Sequence, residues 1–325
     1  LPPDSVIPCD DRGILPMHHQ RAALGDLNRG LPNPLALELF YDKAATRELA
    51  IAEGVPVAAG KRLESADTAE ALVAAFGLPL FVKPRRSYRL EAITRRHSVA
   101  VCRTPAEVSA ALARIAEPET SIVEAVAPGI GVGVSVLARD GTVSQIFQHR
   151  RIAEPADGGS SAYRESEPLD PELTGMTRAL CAASRLDGIA MFEYRVDDAT
   201  GDKALLEVNA RCWGSMPLAV AAGIDFPALW YDQAVHGKVA PTARYRVPYY
   251  ARNLFGDVYA TAERLSLLRR NGLGTAAGAA LGWAASFGRL LVGRESHDAF
   301  AWTDPAPAFA EYAELTRLVG RKLTE

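Results

Sequence analysis

The stretch LLEVNARCWGS, residues 205–215, decides the fold, because it alternates like a β-strand yet carries polar residues on one whole face. Its apolar face carries Leu206, Val208 and Ala210, and its polar face carries Glu207, Asn209 and Arg211. A core strand would prefer apolar residues on that second face. The carboxylate, the amide and the guanidinium therefore need a chemical explanation.

A second carboxylate is predicted to lie opposite the first. The strands GIAMFEYRV (188–196) and KALLEVNAR (203–211) are joined by DDATGD, which is centred near Thr200. Antiparallel pairing about that centre puts Glu193 opposite Glu207, with Cβ atoms about 4.5–5.5 Å apart. Two bare carboxylates at that distance repel each other, and one pKa would rise strongly. A divalent cation removes the repulsion.

The donor types favour magnesium. Asn209 lies two residues along the same face and adds a neutral oxygen to Glu193 and Glu207. Oxygen donors without sulfur or imidazole are typical of Mg²⁺, which pairs carboxylates with phosphate oxygens. The alternative is an exposed sheet face with solvated charges. The apolar opposite face of both strands favours the interpretation as a metal and phosphate site.

Length and composition exclude several protein classes. The 325 residues suggest about two domains of ~150 residues each. A net charge of −3 gives no electrostatic case for binding nucleic acid or an anionic membrane. The four cysteines form no CxxC pair, so neither a zinc site nor a disulfide framework is expected, and a reducing cytoplasm fits best. The N-terminus has no visible signal peptide.

One apolar segment, residues 272–293, needs a membrane test. Arg289 interrupts it before about 20 apolar residues accumulate, so we expect a packed helix and not a membrane span.

The N-terminal pattern predicts a short strand over 3–11 and a helix around 17–28, which together look like the tail of an α/β domain. We therefore expect the chain as given to begin inside a domain. A helix is predicted over 41–53, ended by Gly54, and a strand over 55–60.

The middle of the chain predicts alternating elements. These are a helix over 66–76, buried strands over 79–84 and 121–126, a helix over 104–116 begun by Thr104 and Glu107, a hairpin with Asp140-Gly141 as its turn, and a helix over 170–186. Helices dominate from 256 onward.

At this point the sequence resembles the ATP-grasp superfamily, in its branch of carboxylate–amine ligases and carbamoyl-phosphate-synthase-like enzymes. The matching motifs occur in order between about residues 41 and 238. They are FVKP (81–84), similar to the strand that supplies the nucleotide lysine; SIVEAVAPG (121–129), similar to the adenine hinge; Glu193 and EVNAR (207–211), similar to the metal-binding strands; and WGSMPLAVAAGIDFP (213–227), similar to the helix and turn that follow.

The resemblance implies an α/β (α+β) ATP-grasp fold, in which two α+β subdomains clasp ATP. The expected divisions are the remnant of an N-terminal α/β pre-ATP-grasp domain (1–40), the small ATP-grasp subdomain (41–125), the central or large subdomain with the metal site (126–240), and a mainly helical C-terminal extension (241–325). Capping of the site and dimerisation are the two roles considered for that extension.

The same resemblance implies a set of nucleotide contacts. Lys83 would hold phosphate oxygens, although its stem could instead pack while its amine reaches water. Arg47 matches the second cationic position on the preceding helix, and Lys43 resembles a positional marker more than a ligand. Main-chain groups at Glu124 and Val126 would bind the adenine edge, and the Glu124 carboxylate could accept the exocyclic amine. A solvated helix face for Arg47, and plain core for the hinge strand, are the alternatives.

Two departures from the family pattern affect the nucleotide site. The usual glycine-rich phosphate loop is replaced by RRSYRLEAITRRH (85–97), which has no glycine. Phosphate contacts would then come from Arg85, Arg86, Ser87 or Arg95, unless the loop serves a substrate. Gly131 stands where many relatives have a glutamate for the ribose hydroxyls.

The implied reaction is attack by a carboxylate on the γ-phosphate of ATP, followed by capture of the acyl phosphate by an amine. Positioning and charge neutralisation carry such chemistry. Arg211 would neutralise the transferring phosphoryl group or the oxyanion, and His149 or Arg151 could orient the substrate carboxylate. The loop EPADGGSSAYRES (154–166) would exclude water. A basic hairpin end and an ordinary surface loop are the competing interpretations, and Cys212 is expected to be packed and not nucleophilic.

Three functions are compared. The first is an ATP-dependent carboxylate–amine ligase that uses ATP and Mg²⁺ (or Mn²⁺) on small-molecule carboxylate and amine substrates, one of them an amino acid. The others are carboxylation through carboxyphosphate and a nucleotide-binding module without turnover. No nucleic-acid or membrane partner is expected, and a homodimer is considered. Glu207→Gln separates the first two functions from the third.

Overall fold

The computed structural model describes residues 3–94, 98–153, 161–239, 241–269 and 273–324. Its strands are β1 (Gly60–Arg62), β2 (Leu80–Pro84), β3 (Ala100–Cys102), β4 (Ser121–Ala125), β5 (Ile130–Arg139), β6 (Thr142–Ala153), β7 (Tyr163–Glu167), β8 (Gly188–Val196), β9 (Lys203–Asn209), β10 (Tyr250–Arg252) and β11 (Glu295–His297).

The helices are α1 (Asp11–His19), α2 (Arg21–Leu24), α3 (Pro34–Tyr41), α4 (Lys43–Ala52), α5 (Ala69–Phe76), α6 (Pro105–Leu112), α7 (Pro171–Ala183), α8 (Met216–Ala222), α9 (Phe226–His236), α10 (Leu254–Arg269), α11 (Leu273–Ser286), α12 (Gly288–Leu291) and α13 (Ala306–Thr324). Short 3-10 turns cover Gly25–Gly30, Leu90–Ala92 and Pro118–Thr120.

The chain forms two compact units. Unit 1 contains Leu1–Ile146, Leu169–Trp213 and Phe226–Thr242, and unit 2 contains Phe147–Pro168, Gly214–Asp225 and Ala243–Glu325. Strand β6 passes from the first unit to the second at Ile146.

The first sheet of unit 1 has the strand order β1-β4-β2-β3, with all three pairings antiparallel. Helices α5 and α6 contribute Leu72 and Val108 to a core that also contains Leu80, Val82 and Val123. The predicted Thr104 cap is confirmed, because the Thr104 side chain accepts from Glu107 N and the Glu107 carboxylate accepts from Thr104 N. This reciprocal capping begins α6 where the sequence indicates.

The second sheet region of unit 1 pairs β8 with β5 on one side and with β9 on the other, both antiparallel. Alternate residues of these strands pack into one core with residues of α3, α4 and α7. The hairpin between β5 and β6 turns at Asp140 and Gly141, whose φ angles are 45° and 80°, as two-residue turns of this kind require. This confirms the turn predicted from Asp-Gly.

Unit 2 pairs the second part of β6 with β7, β7 with β10, and β10 with β11. Its centre is the fully buried Arg252, which contacts Glu295 (2.8 Å), Asp257 (2.5 Å) and Ser286 (2.7 Å). The Arg252 guanidinium lies 3.9 Å from the ring centroid of Tyr163. These contacts connect the strands of unit 2 to helices α10 and α11.

Two predicted strands are wrong. Residues 3–10 form no strand, and helix α1 begins at Asp11 instead of near residue 17, because the Asp10 side chain accepts from Gly13 N and caps it. The strand expected over 55–60 is reduced to a single bridge between Val57 and Leu205, and regular pairing starts at Gly60.

Residues 273–286 form helix α11. Among the residues that the structure describes, no helix combines the length and the apolar content that crossing a membrane requires.

Candidate functional site

The two predicted metal-binding glutamates lie opposite each other. In the pairing of β8 with β9, Glu193 is the direct partner of Glu207, and Met191 is the partner of Asn209. The Asn209 side-chain nitrogen donates to Glu207 Oε1 at 3.2 Å. The predicted opposition of Glu193 and Glu207 is therefore confirmed, and the three side chains lie on two adjacent strands of unit 1. The pairs nearer the loop are shifted by one residue from a register centred on Thr200.

A β-bulge corrects the predicted faces of β9. The register shifts between Glu193 and Tyr194, whose partner is Leu205, so that Leu206 is the extra residue. Leu205 is buried in the core, and Leu206 is only partly buried. The prediction that Leu206 packs on the core face is wrong, because the bulge gives that place to Leu205.

Glu207 is held as a carboxylate. Burial by itself would raise its pKa, but the charges of Lys43, Lys83 and Arg211 and the hydrogen bond from Asn209 bring the pKa below its usual range. Burial lowers the pKa of the Lys43 ammonium, and the Glu207 carboxylate opposes that effect. The polar face of β9 thus carries ionised oxygen beside cations.

The first sheet supplies a second charged cluster, formed by Lys83 on β2, Glu124 on β4 and Arg47 on α4. Lys83 Nζ lies 2.7 Å from Glu124 Oε2, and Arg47 Nη1 lies 3.3 Å from Glu124 Oε1. The side chains of Lys83 and Arg47 are 16% and 12% exposed, so neither is freely solvated. A solvated helix face for Arg47 is therefore excluded.

A close backbone approach positions Arg47. Its guanidinium donates to the carbonyls of Ala58 (2.5 Å) and Gly60 (3.1 Å). A Cβ on Gly60 would come within 2.2 Å of the Val123 carbonyl oxygen and 2.8 Å of the Glu124 Cα. Only glycine fits at this position, where β1 pairs with β4, and the Gly60 carbonyl is one of the two that Arg47 binds.

The structure gives Glu124 a different role from the expected one. Its carboxylate is buried and ion-paired with both Lys83 and Arg47, so an adenine amine would have to compete for it. Its main chain lies inside the sheet, paired in register with Phe81 and Gly60. Val126 follows the end of β4 and is 40% exposed, which leaves its main chain outside the ladder.

The first residues of the glycine-free segment after β2 are hydrogen-bonded to α3 and α4. Lys43 Nζ donates to Ser87 Oγ (3.1 Å), Tyr41 donates to the Tyr88 carbonyl (3.0 Å), and Lys43 N donates to the Arg85 carbonyl (2.9 Å). Lys43 was expected to be a positional marker, but its amine points at the polar side chains of this site.

Arg85 does not fit its predicted phosphate role. Its guanidinium binds both Asp42 oxygens, at 2.9 and 2.6 Å, and its remaining end donates to the Glu119 carbonyl. Asp42 also caps helix α4 and lies 3.5 Å from Arg86. Ser87 keeps an oxygen beside Lys43, and Arg86 is 56% exposed. Arg95 lies outside the described residues.

Arg211, at the end of β9, has a partner that sequence reasoning missed. Arg211 Nε lies 2.6 Å from Asp11 Oδ1, and Arg211 Nη2 lies 3.5 Å from Asp11 Oδ2. The two residues are 200 positions apart, and the only sequence signal was the acidic pair at 10–11.

These side chains surround a cavity of about 260 Å³ within unit 1. Its polar lining consists of Asp10, Asp11, Tyr41, Lys43, Thr46, Ser87, Tyr88, Glu207, Asn209 and Arg211. A second cavity in the same unit, of about 1080 Å³, lies along residues 82–91 and includes Lys83. The basic and acidic side chains around these two cavities can bind anions and a cation, respectively.

His149 and Arg151, the other predicted catalytic residues, lie on β6 in unit 2. His149 is 1% exposed, and burial, followed by the charges of Arg164 and Arg151, lowers its pKa to about 3. Neither ring nitrogen has a partner among the described residues. A role in orienting a carboxylate stays a prediction, and a neutral ring would have to perform it.

The remaining expectations concern a loop and a thiol. Of the predicted covering loop, residues 154–160 lie outside the described part of the chain, and Tyr163–Ser166 belong to β7 and not to a loop. Burial, followed by the neighbouring Cys9, raises the pKa of Cys212 to about 12. A thiol with a raised pKa is a weak nucleophile, so a packed role for Cys212 stays the prediction.

The sequence matches a family described as "ATP-grasp in the biosynthetic pathway with Ter operon" over residues 117–252. It is 27% identical over 198 residues to a phosphoribosylamine–glycine ligase from Synechocystis sp., which covers 55% of this chain and 46% of that protein. The chain thus spans about half the length of the curated relative it matches.

Solved structures share the fold. A D-alanine–D-alanine ligase from Coxiella burnetii aligns with a TM-score of 0.55 and 18% identity, over 73% of this chain and 68% of that one. The biotin carboxylase domain of the Hydrogenobacter thermophilus 2-oxoglutarate carboxylase, solved with MgADP and bicarbonate, aligns with a TM-score of 0.58 and 15% identity, over 76% and 57%. Residues 117–252 thus match an ATP-grasp family model, and the chain shares its fold with the two solved structures.

Proposed function

We propose that this protein is an ATP-dependent carboxylate–amine ligase. It would activate a small carboxylate as an acyl phosphate, join it to an amine, one of the two being an amino acid, and release ADP and phosphate. The observation that carries the proposal is the pairing of Glu193 with Glu207 in the same unit as the Lys83–Glu124–Arg47 cluster.

The Lys83–Glu124–Arg47 cluster suits the phosphate groups of ATP. Lys83 and Arg47 share one carboxylate, Glu124, so together they carry one more positive charge than that partner cancels. A phosphate oxygen would supply the missing negative charge. Ser87 and Lys43 lie along the segment that follows β2, where a further phosphate contact is available.

The donor set at β8 and β9 fits magnesium. Glu193, Glu207 and Asn209 offer carboxylate and amide oxygens, and Glu207 is ionised. Among the described residues, no group of three or more His, Cys, Asp and Glu side chains has metal-binding geometry, so phosphate oxygens would have to complete the shell. When bound there, Mg²⁺ (or Mn²⁺) would neutralise the phosphate charge.

Arg211 suits the reacting end of the site. It borders the cavity beside Glu207 and Asn209, and a guanidinium matches the planar geometry of a carboxylate or a phosphoryl group. The roles of Val126 at the adenine edge, and of His149 and Arg151 at the substrate carboxylate, are proposed from the family resemblance. The similarity to a phosphoribosylamine–glycine ligase supports a ligase that accepts an amine.

The decisive experiment measures release of ADP and phosphate from Mg-ATP with pools of amino acids and small carboxylic acids. We expect release that requires one acid and one amine, and a loss of at least about 100-fold in Glu207→Gln. Glu70→Gln, an exposed glutamate on α5, is the matched control and should keep full activity.

Two results would contradict the proposal. Release that depends on bicarbonate and needs no amine would indicate carboxyphosphate chemistry. Binding of Mg-ATP without release from any pool, unchanged by Glu207→Gln, would indicate a nucleotide-binding module without turnover.

A further inference from the structure

The guanidinium of Arg211 is held along one edge by a carboxylate from the N-terminal segment. Asp11 approaches Nε at 2.6 Å and Nη2 at 3.5 Å, and the side chains of Arg211 and Asp11 are only 24% and 15% exposed. On its other side, Arg211 Nη1 donates to the Cys212 carbonyl at 3.0 Å. The plane of the guanidinium is therefore fixed by contacts on both sides.

These contacts leave part of the guanidinium available. Arginine has five N–H donors, one on Nε and two on each terminal nitrogen. The contacts to Asp11 and to Cys212 engage three of them, one on each nitrogen. Among the described residues, one donor on Nη1 and one on Nη2 remain, and donors on the two terminal nitrogens can together bind an anion through two hydrogen bonds.

Helix α1 holds Asp11 in place. Asp11 is the first residue of that helix, and the preceding Asp10 caps it by accepting from Gly13 N at 2.9 Å. Asp10 is further engaged by Arg12, at 2.7 Å. The capping group and the Arg211 partner are thus different carboxylates, so each can be removed separately.

We propose that Asp11 is a positioning residue that fixes Arg211 so that its outer two donors face an anion in the 260 Å³ cavity. The proposal rests on the ligase function proposed above for the identity of the anion, the phosphoryl or acyl-phosphate group. Asp11 acts through Arg211 and does not itself touch that group. Support of this kind is typically worth about 10- to 100-fold in activity.

The opposite role is testable with the same residue. If Asp11 instead blocked Arg211 as an internal substitute for the substrate anion, its removal would raise activity or lower KM. If Asp11 positions Arg211, Asp11→Asn lowers kcat. The amide has the same shape, but it is uncharged and has one accepting oxygen in place of two. The direction of the change separates the two roles.

The first measurement needs no turnover. The ¹⁵N–¹H signal of the Arg211 side-chain Nε, assigned by its loss in Arg211→Lys, should be protected from solvent exchange in the wild-type protein and in Asp11→Glu. We expect it to exchange at least about 10-fold faster in Asp11→Asn. An unchanged exchange rate in Asp11→Asn overturns the proposal, whether or not the protein is a ligase.

The second measurement is ADP release from Mg-ATP with the active acid and amine. Asp11→Asn should lower kcat by about 10- to 100-fold while KM for Mg-ATP stays within about twofold, and Asp11→Glu should recover most of the loss. Increased activity of Asp11→Asn, or no rescue by Asp11→Glu, overturns the positioning role.

The controls separate this proposal from the proposed function. Asp232→Asn removes a carboxylate from an exposed ion pair with Lys238 and should leave both readouts unchanged. Absence of turnover in the wild-type protein would count against the ligase function. The exchange measurement would still decide whether Asp11 holds Arg211.

Discussion

Two buried charge clusters, one in each unit, have similar compositions and different surroundings. In unit 2, Arg252 and Glu295 have fully buried side chains, and the guanidinium is enclosed by Asp257, Ser286 and the ring of Tyr163. In unit 1, Glu124 is just as well paired, with Lys83 and Arg47, but both cations keep part of their surface exposed. The comparison indicates that a buried charged cluster can bind a ligand only where part of its side chains remains exposed.

The surroundings explain that difference. Every nitrogen of Arg252 has a protein partner, so a ligand would have nothing to add. Lys83 borders a cavity of about 1080 Å³ and, within the part of the chain that the structure describes, is ion-paired with Glu124 alone. Removing one partner from a complete buried ion pair destabilises the fold because it leaves an unpaired charge, whereas an ion pair that remains open can bind a ligand.

The largest expected effect is on the closed cluster. Arg252→Ala leaves Glu295 and Asp257 buried without their cation, and we expect a loss of about 3–5 kcal/mol in the free energy of unfolding, measured by urea denaturation. Arg29→Ala, which removes an exposed pair with Asp26, should leave the midpoint nearly unchanged. Equal midpoints for both variants would show that the unit 2 cluster contributes no stability.

The open cluster should respond in binding and not in stability. Lys83→Met keeps the packing of the stem but removes the cation, and Glu124 retains Arg47. We expect binding of Mg-AMPPNP, measured by calorimetry, to weaken by about 10- to 100-fold with little change in the unfolding midpoint. Lys61→Met, a strand lysine paired with Asp67, is the control and should bind normally. Unchanged binding in Lys83→Met would remove the distinction between the two clusters.

The smallest effect concerns a buried group without a partner. The pKa of His149 lies at about 3 in the folded chain, compared with an ordinary 6.5. Between these values the unfolded chain binds more protons at this residue, so the free energy of unfolding rises with pH and is lost as the pH falls from about 6.5 toward 3.

In His149→Phe we therefore expect a shallower loss of stability below pH 6.5, measured by urea denaturation at several pH values. Phenylalanine also removes two unpartnered nitrogens, so stability at pH 7 should not fall by more than about 1 kcal/mol. His236→Phe, at an exposed histidine, should keep the wild-type slope. Identical slopes in all three proteins would show that folding does not lower the pKa of His149.

The part of the site that follows from local sequence was predictable. Glu193 and Glu207 were expected to face each other from the loop between the strands, and they do, although the bulge at Leu206 sets this pair and not the register next to the loop, where Asp197 N donates to the Asp202 carbonyl. Lys83 and Glu124 lie on strands whose apolar neighbours mark them as buried. In each case the pattern repeats every two residues, and a strand converts that pattern directly into a face.

What the sequence could not predict depends on contacts between distant segments. Asp11 meets Arg211 only because helix α1 starts at residue 11, which the capping by Asp10 decides. Lys43 reaches Ser87 across 44 positions, and no local pattern connects them. Arg85 was expected at a phosphate because it is basic, but basic character alone does not show that its donors are already bound to Asp42 and to the Glu119 carbonyl.

The bulge in β9 gives this strand one residue more than its pairing uses. Glu207 faces Glu193 and Leu205 faces Tyr194, so Leu206 between them has no partner across the ladder. Shortening a strand by one residue normally exchanges its two faces. Here the loss of Leu206 would instead bring two existing pairs into regular succession. Deletion of Leu206 would therefore keep Leu205 opposite Tyr194 and Glu207 opposite Glu193.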